Sequence, residues 1–206
     1  MSENVSLGCP RVFPRRQPAQ RVFGLATCGL LAAGLVGGVQ SADAYEAIDL
    51  SGFRDGARHW QSEHGRDRSD RRYRADQVVE IADNMLEYQL PDGGWPKNLD
   101  PLVATPKREL AKLMGRGLER STLDNRNTYT QIEYLAKAYD VTGFDRLSAA
   151  AQRGIDYTLR EQRTSGGWRG SDVDAITYND DVMLGVMRLL RDVAEGPPPF
   201  AWFDDP

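Results

Sequence analysis

Apolar residues recur at spacings of three and four through the second half of the chain. From Ala75 onward, Val78, Val79, Ile81, Ala82, Met85, Leu86 and Leu90 form one stripe, which predicts an amphipathic helix with a single buried face. Pro91-Asp92-Gly93-Gly94 ends that helix, since proline lacks a donor and glycine frees the backbone. The pattern predicts a second helix over about 106–116, closing near Gly115 or Gly117. A third runs from near Asn127 through Tyr129, Ile132, Leu135, Ala136 and Tyr139 to Gly143. A fourth covers 144–162, with Leu147, Ala150, Ala151, Ile155, Tyr157 and Leu159. The fifth covers 180–194, with Val182, Met183, Val186, Met187, Leu189, Leu190 and Val193, and Pro197-Pro198-Pro199 ends it. No stretch sustains strict alternation, so the expected class is all-α.

A repeat lies inside this pattern. Gln89-Leu-Pro-Asp-Gly-Gly-Trp95 and Gln162-Arg-Thr-Ser-Gly-Gly-Trp168 share Q-x-x-x-G-G-W. Each copy closes a helix and leads through an irregular segment to a new helix with a polar start, Thr122-Leu123-Asp124-Asn125 or Thr177-Tyr178-Asn179-Asp180. Helical hairpins of this kind cannot bury their faces alone and stack around an arc or ring, which points to an α/α toroid.

The N-terminal pattern differs. Residues 1–22 hold Arg11, Arg15, Arg16 and Arg21 with one acid, Glu3, and Phe23–Val39 is uncharged. Ser41-Ala42-Asp43-Ala44 then offers small residues at the two positions a signal peptidase reads. Together these predict a secretory signal peptide over 1–44, cleaved after Ala44. The rival reading, a membrane anchor, meets an apolar run that is short and carries five glycines. The expected location is therefore secreted or periplasmic, with no membrane association after cleavage. Both cysteines, Cys9 and Cys28, fall in the removed segment, so neither a disulfide framework nor a thiolate metal site is expected. Residues 45–74 read as a charged leader. Its stretch 54–76 has seven arginines, with Trp60 and Tyr73 as the large apolar groups, and is either a solvated linker, the exposed face of a first helix, or a basic patch for a polyanion.

Composition narrows the function. The formal net charge of the 206 residues is −4, which argues against a nucleic-acid binder that works by neutralising phosphates. Neither G-x-S-x-G nor a phosphate loop occurs, so acyl transfer and nucleotide chemistry have no foothold. Three polar clusters fall at the expected turns: Trp95-Pro96-Lys97-Asn98, Asp124-Asn125, and Asn179-Asp180-Asp181. Their carboxylates and amides are hard oxygen donors suited to Ca²⁺ or Mg²⁺. Each has a structural counterpart: Asp124 or Asn125 capping the third helix, Thr177 or Asn179 capping the fifth, and Gly-Gly-Trp as a turn carrying a core aromatic.

At these residues the chain resembles a known family. Ile81-Ala82-Asp83-Asn84-Met85-Leu86 leading to Gln89 and Gly93-Gly94-Trp95-Pro96-Lys97-Asn98 resembles the opening of family 10 polysaccharide lyases, the α/α-toroid pectate lyases. Ser121–Asn125 with Thr128-Tyr129-Thr130-Gln131 resembles the next signature, and Gly166-Gly167-Trp168 with Ile176–Asp181 and Arg188–Val193 the third. The resemblance covers roughly Ala75 to the C-terminus. It implies β-elimination on polygalacturonate (pectate): a base takes the C5 proton of a galacturonate while the 4-O bond breaks, with Ca²⁺ and cationic side chains stabilising the developing carbanion. It implies Asp124, Asn125 and Asp180 as metal ligands and Trp95, Lys97 and Asp124 as substrate-binding residues, with Trp95 supporting either the loop or a sugar face. The family's base is an arginine late in the fold. No position here matches its context, so no catalytic residue is expected within this chain. Two further departures are Arg126, where a small residue is usual, and a short segment between Trp168 and Thr177.

A complete toroid of about six hairpins takes on the order of 300 residues. The expectation is thus an incomplete α/α toroid: a partial lyase domain over 75–206, an arc with an exposed apolar edge and weak or absent activity without a C-terminal half. The alternatives are a non-catalytic pectate-binding or partner-dependent module, and an α/α-toroid glycoside hydrolase using two carboxylates.

Overall fold

Among the described residues the apolar stripes become five helices. After a 3₁₀ turn at Ser51–Phe53 come α1 (Arg54–His64), α2 (Val78–Tyr88), α3 (Tyr129–Thr142), α4 (Asp145–Arg160) and α5 (Val182–Glu195). The computed structural model describes residues 45–65, 71–104, 120–170, 174–179 and 181–203. The expected signal segment 1–44, the expected helix near 106–116 and Asp180 lie outside them. The described residues contain no strand, only an isolated antiparallel bridge between Arg72 and Val103.

Helix α3 is the hub. It packs against α2, α4 and α5, and Ile132, Leu135, Ala136 and Ala138 lose all solvent contact. Gly143, at φ 68°, turns the chain sharply from α3 into α4, its N–H donating to Tyr139 O at 2.7 Å. A left-handed residue at this position closes a helix with little steric cost when it is glycine. Close approach between neighbours is also built in: a Cβ on Gly154 of α4 would sit 2.5 Å from Ile132, and one on Gly185 of α5 2.4 Å from the Tyr129 ring.

The segment read as a charged leader is joined to this body. Ile48, Phe53 and Trp60 belong to the hydrophobic core, and the Phe53 ring meets Tyr134 edge-on at 5.6 Å. Phe53 and Trp60 are seven apart, so both fall on one side of the first helical turns. Further along, Arg72 pairs with Asp100, whose side chain is fully buried. Tyr73 N–H donates to Leu102 O and Ala104 N–H to Arg71 O, at 2.8 and 2.9 Å. At the far end of α3, Trp202 meets Tyr139 edge-on at 5.6 Å, so the chain after the prolines folds back onto the helices.

Candidate functional site

The two Gly-Gly-Trp turns have nearly superimposable hydrogen bonding. In the first, Gly93 N–H donates to Leu90 O and Leu90 N–H to Gly94 O, both at 2.9 Å; in the second, Gly166 N–H donates to Arg163 O at 2.8 Å and Arg163 N–H to Gly167 O at 3.0 Å. Gly93 and Gly166 have φ of 95° and 81°, a region open to glycine. The tryptophans then lock each turn to the helix before it. Trp95 Nε1 donates to Met85 O at 2.8 Å and Trp168 Nε1 to Thr158 O at 2.7 Å, the acceptor lying ten residues upstream both times. Each tryptophan carbonyl in turn accepts the N–H of the polar segment that follows, Thr122 at 3.0 Å and Thr177 at 2.9 Å.

This lock settles the position of Trp95. It is 1 % exposed, so its ring lies under the loop, with no face free to stack on a sugar. Of the two roles expected of Trp95, a sugar face is corrected by this burial, and support of the turn that carries Lys97 is left. The helix starts fall elsewhere than the capping readings placed them. Neither α3 nor α5 has a side-chain hydrogen bond at its N-cap, which are Thr128 and Asp181. Asn127 instead donates through Nδ2 to Trp95 O and Thr122 O and accepts from Gln131 Nε2 at 2.9 Å, tying the segment before α3 back to the tryptophan turn.

The loops so placed meet in three successive cross-links. Lys97 Nζ lies 3.5 Å from Asp124 Oδ2. Asn125 Nδ2 donates to Asn98 Oδ1 at 2.9 Å, and Asn98 Nδ2 reaches Glu63 of α1 at 2.6 Å. Arg126 pairs with Asp181. Asp124 therefore stands between the two repeats: a Cβ on Gly170 would lie 3.1 Å from its Oδ1 and 3.3 Å from Thr177, a tight fit that a side chain there would have to push open by a few tenths of an ångström. Of the expected site residues, the structure brings Lys97, Asp124 and Asn125 together, and Trp95 beneath them.

Backbone conformation sets this region apart. Every non-glycine residue with positive φ among the described ones, namely Asn98, Asn125, Arg126, Thr128 and Asp181, belongs to these loops. Strained backbone of this kind persists where its surroundings over-determine it and is concentrated at functional sites. The hydrogen bond from Arg126 to Asp181 raises the guanidinium above its ordinary value, so Arg126 is a fixed cation. Arg126 and Asp181 also line a cleft of about 220 Å³ between residues 48–53, α3 and α5, with Glu133, Lys137 and Arg188. Burial pushes the Glu133 carboxyl up, only partly offset by Lys137.

Sequence reasoning placed Asn98 and Asp181 in the oxygen-donor clusters but named no partner for either, and flagged Arg126 only as unusual. Their partners are 27 and 55 residues away, and no local pattern marks such pairs. One signal was available: Thr122 and Thr177 start equivalent segments, and the same offset carries Arg126 onto Asp181, residues of opposite charge.

The donor types at the cluster suit a hard divalent cation, since Asp124 offers carboxylate oxygens and Asn125 an amide oxygen. Among the described residues no three His, Cys, Asp or Glu side chains converge.

Comparison with known proteins places these features. Residues 89–205 match the model of a family described as pectic acid lyase. A solved structure of a family 10 polysaccharide lyase from Cellvibrio cellulosa is 23 % identical, with a TM-score of 0.51 over 77 % of this chain and 46 % of that one. A mutant of a family 10 lyase from the same organism, described in complex with trigalacturonic acid, is 21 % identical with a TM-score of 0.49, covering 78 % and 47 %. The chain spans about half the length of these solved structures. No curated protein matches it. With the first of these neighbours as its frame, the described helices form an incomplete α/α toroid.

Proposed function

Because the chain belongs to the pectic acid lyase family, we propose that its loop cluster holds polygalacturonate for cleavage by β-elimination. The observation that carries this reading is the convergence of Lys97, Asp124 and Asn125 from two separate turns onto one cluster, inside the segment that matches the family. A galacturonate C5 proton lies α to a carboxylate, and the anion formed on its removal places more charge on that group. Cations held at the carboxylate favour the anion more than the ground state, which is what lowers the barrier.

In this arrangement the Lys97 ammonium, one-third exposed and steadied by Asp124, meets a uronate carboxylate. Asp124 and Asn125 would hold Ca²⁺ through hard oxygens, with Asp180 as the expected third ligand. When bound, the ion supplies further positive charge toward the same carboxylate. The first 44 residues support an exported protein, consistent with an extracellular polymer.

A second reading, binding without turnover, is favoured by the charges. Arg126 pairs with Asp181 and Lys97 with Asp124, so each described carboxylate of the cluster already faces a cation of its own. Titration calorimetry with polygalacturonate, with and without Ca²⁺, tests the shared claim. The purified chain is expected to bind in Ca²⁺, and Asp124→Ala to weaken that binding about tenfold, the order of one charge-assisted contact. No binding by a folded chain, or unchanged affinity in Asp124→Ala, overturns it. Ultraviolet absorbance of unsaturated product selects the lyase over the binding module, whereas new reducing ends without unsaturation indicate a hydrolase and overturn both.

A further inference from the structure

Arg126 is where this cluster departs from a purely metal-assisted design. It stands two residues from Asp124, beside Asn125, in a turn whose backbone is left-handed at 125, 126 and 128. That turn is anchored from several sides: Asn127 is tied to Trp95 O, and Thr130 Oγ1 donates to Arg126 O at 2.6 Å. The guanidinium is thus carried on a fixed base, while the side chain itself is 47 % exposed. Its partner Asp181 occupies the equivalent turn of the second repeat, is 41 % exposed and has a left-handed backbone as well. A half-exposed ion pair contributes little to stability, because water competes for both charges. For the same reason its anion can be exchanged for another at small cost. A uronate carboxylate has the charge and the two-oxygen geometry of the Asp181 side chain, and a guanidinium fork accepts such groups in bidentate fashion.

Resting on the proposed reading of the cluster, we infer that Arg126 is a specificity-determining residue: a built-in cation that takes a uronate carboxylate in exchange for Asp181 and so gives the site a component of pectate binding that needs no divalent metal. The cluster then carries two cations, Lys97 against Asp124 and Arg126 against Asp181, either of which an acidic oligosaccharide can engage. Asp181 acts as the internal competitor, holding the guanidinium in place when no ligand is bound.

The test is calorimetry with trigalacturonate at low ionic strength, in EDTA and in Ca²⁺, for the full chain and three variants. The wild-type chain is expected to retain binding in EDTA that fades as salt is added. Arg126→Gly suits the left-handed backbone and is expected to lose that metal-free component by about tenfold, with Arg126→Lys in between, because it keeps the charge but not the fork. Asp181→Asn is expected to strengthen binding in EDTA several-fold by releasing the guanidinium. A merely structural strut predicts a different pattern: Arg126→Gly and Asp181→Asn lower the melting temperature together and leave binding in EDTA unchanged. That result, or wild-type binding seen only in Ca²⁺, overturns the inference while the reading of the cluster stands. Absence of binding in both buffers by a folded chain removes the reading of the cluster and this inference with it. If Arg126→Gly fails to fold, the opposite shifts expected of Arg126→Lys and Asp181→Asn decide.

Discussion

Replacing Gly93 by alanine separates two costs that the repeat otherwise combines. Gly93 has φ 95°, and an added Cβ would lie 2.2 Å from Arg153 O and 2.8 Å from the carbon bearing it. An L residue at such a φ costs about 1–2 kcal/mol. The contact falls roughly 1 Å short of ordinary van der Waals distance and involves backbone on both sides, so α4 and the turn must separate, at about 1–3 kcal/mol for overpacking. Alanine also restricts the unfolded chain, which returns about 0.4–1 kcal/mol. The expected net loss is about 2–4 kcal/mol. Gly166 is the internal control: it has the same place in the motif and φ 81°, but nothing lies within 4 Å of its added Cβ. Only the conformational cost remains there, leaving about 1 kcal/mol or less. Urea unfolding followed by tryptophan fluorescence reads both, with the slope m unchanged if only stability moves. Equal losses in the two variants, or a loss below 1 kcal/mol for Gly93→Ala, would refute the reasoning that close approach to α4 sets the first glycine.

Three further outcomes test separate parts of the structure. Trp95→Phe leaves Met85 O without its indole donor and a gap behind the smaller ring, so a loss of about 2–4 kcal/mol is expected; a folded Trp95→Phe chain should bind pectate within about twofold of wild type, and a tenfold drop would return the ring to the sugar-binding face. Arg72→Met takes the paired cation from a fully buried Asp100 carboxylate, which also accepts from Leu102 N–H, and a melting point lower by several degrees is expected; no change would show that the Arg72–Asp100 pair does not help hold residues 71–74 to the body. Glu133 has its pKa raised from 4.5 by burial, so the folded state holds the proton longer than the unfolded state. Its stabilising contribution is present below the unfolded value and is lost as pH rises through the raised folded one. Glu133→Gln should therefore flatten the decline in stability above pH 4.5, measured as melting temperature against pH; an unaltered profile refutes the assignment.

Much of this frame is legible in the sequence because it depends on local periods. The stripes of α2, α3, α4 and α5 declare themselves at three- and four-residue spacing, and Gly-Gly-Trp marks both turns, since glycine's φ and tryptophan's bulk are needed wherever that turn is built. The first helix was obscured by composition. Arginine-dense sequence around Trp60 suggests solvent, whereas two aromatics seven residues apart, Phe53 and Trp60, are enough to fix one face in the core. Asn84 was similarly hidden: one amide on an apolar face, it donates to Pro101 O at 2.7 Å and Val103 O at 3.0 Å and so holds the chain after the first cluster. At the site, residue types offered oxygen donors that capping explained equally well, and the family resemblance pointed to Lys97, Asp124 and Asn125. Which groups they meet depends on how the hairpins stack, and no spacing along the chain encodes that.

The tryptophan lock has a consequence for how such a chain can change. Each hairpin's turn is held by an indole, a backbone carbonyl ten residues upstream and the next segment's N–H, while the charged side chains at the cluster rim carry little of the fold. Positions 126 and 181 are accordingly replaceable on a fixed mounting, within the residue types that a left-handed backbone admits. If the cluster binds as proposed, single substitutions there can change its preference among acidic polymers without the scaffold having to be solved again.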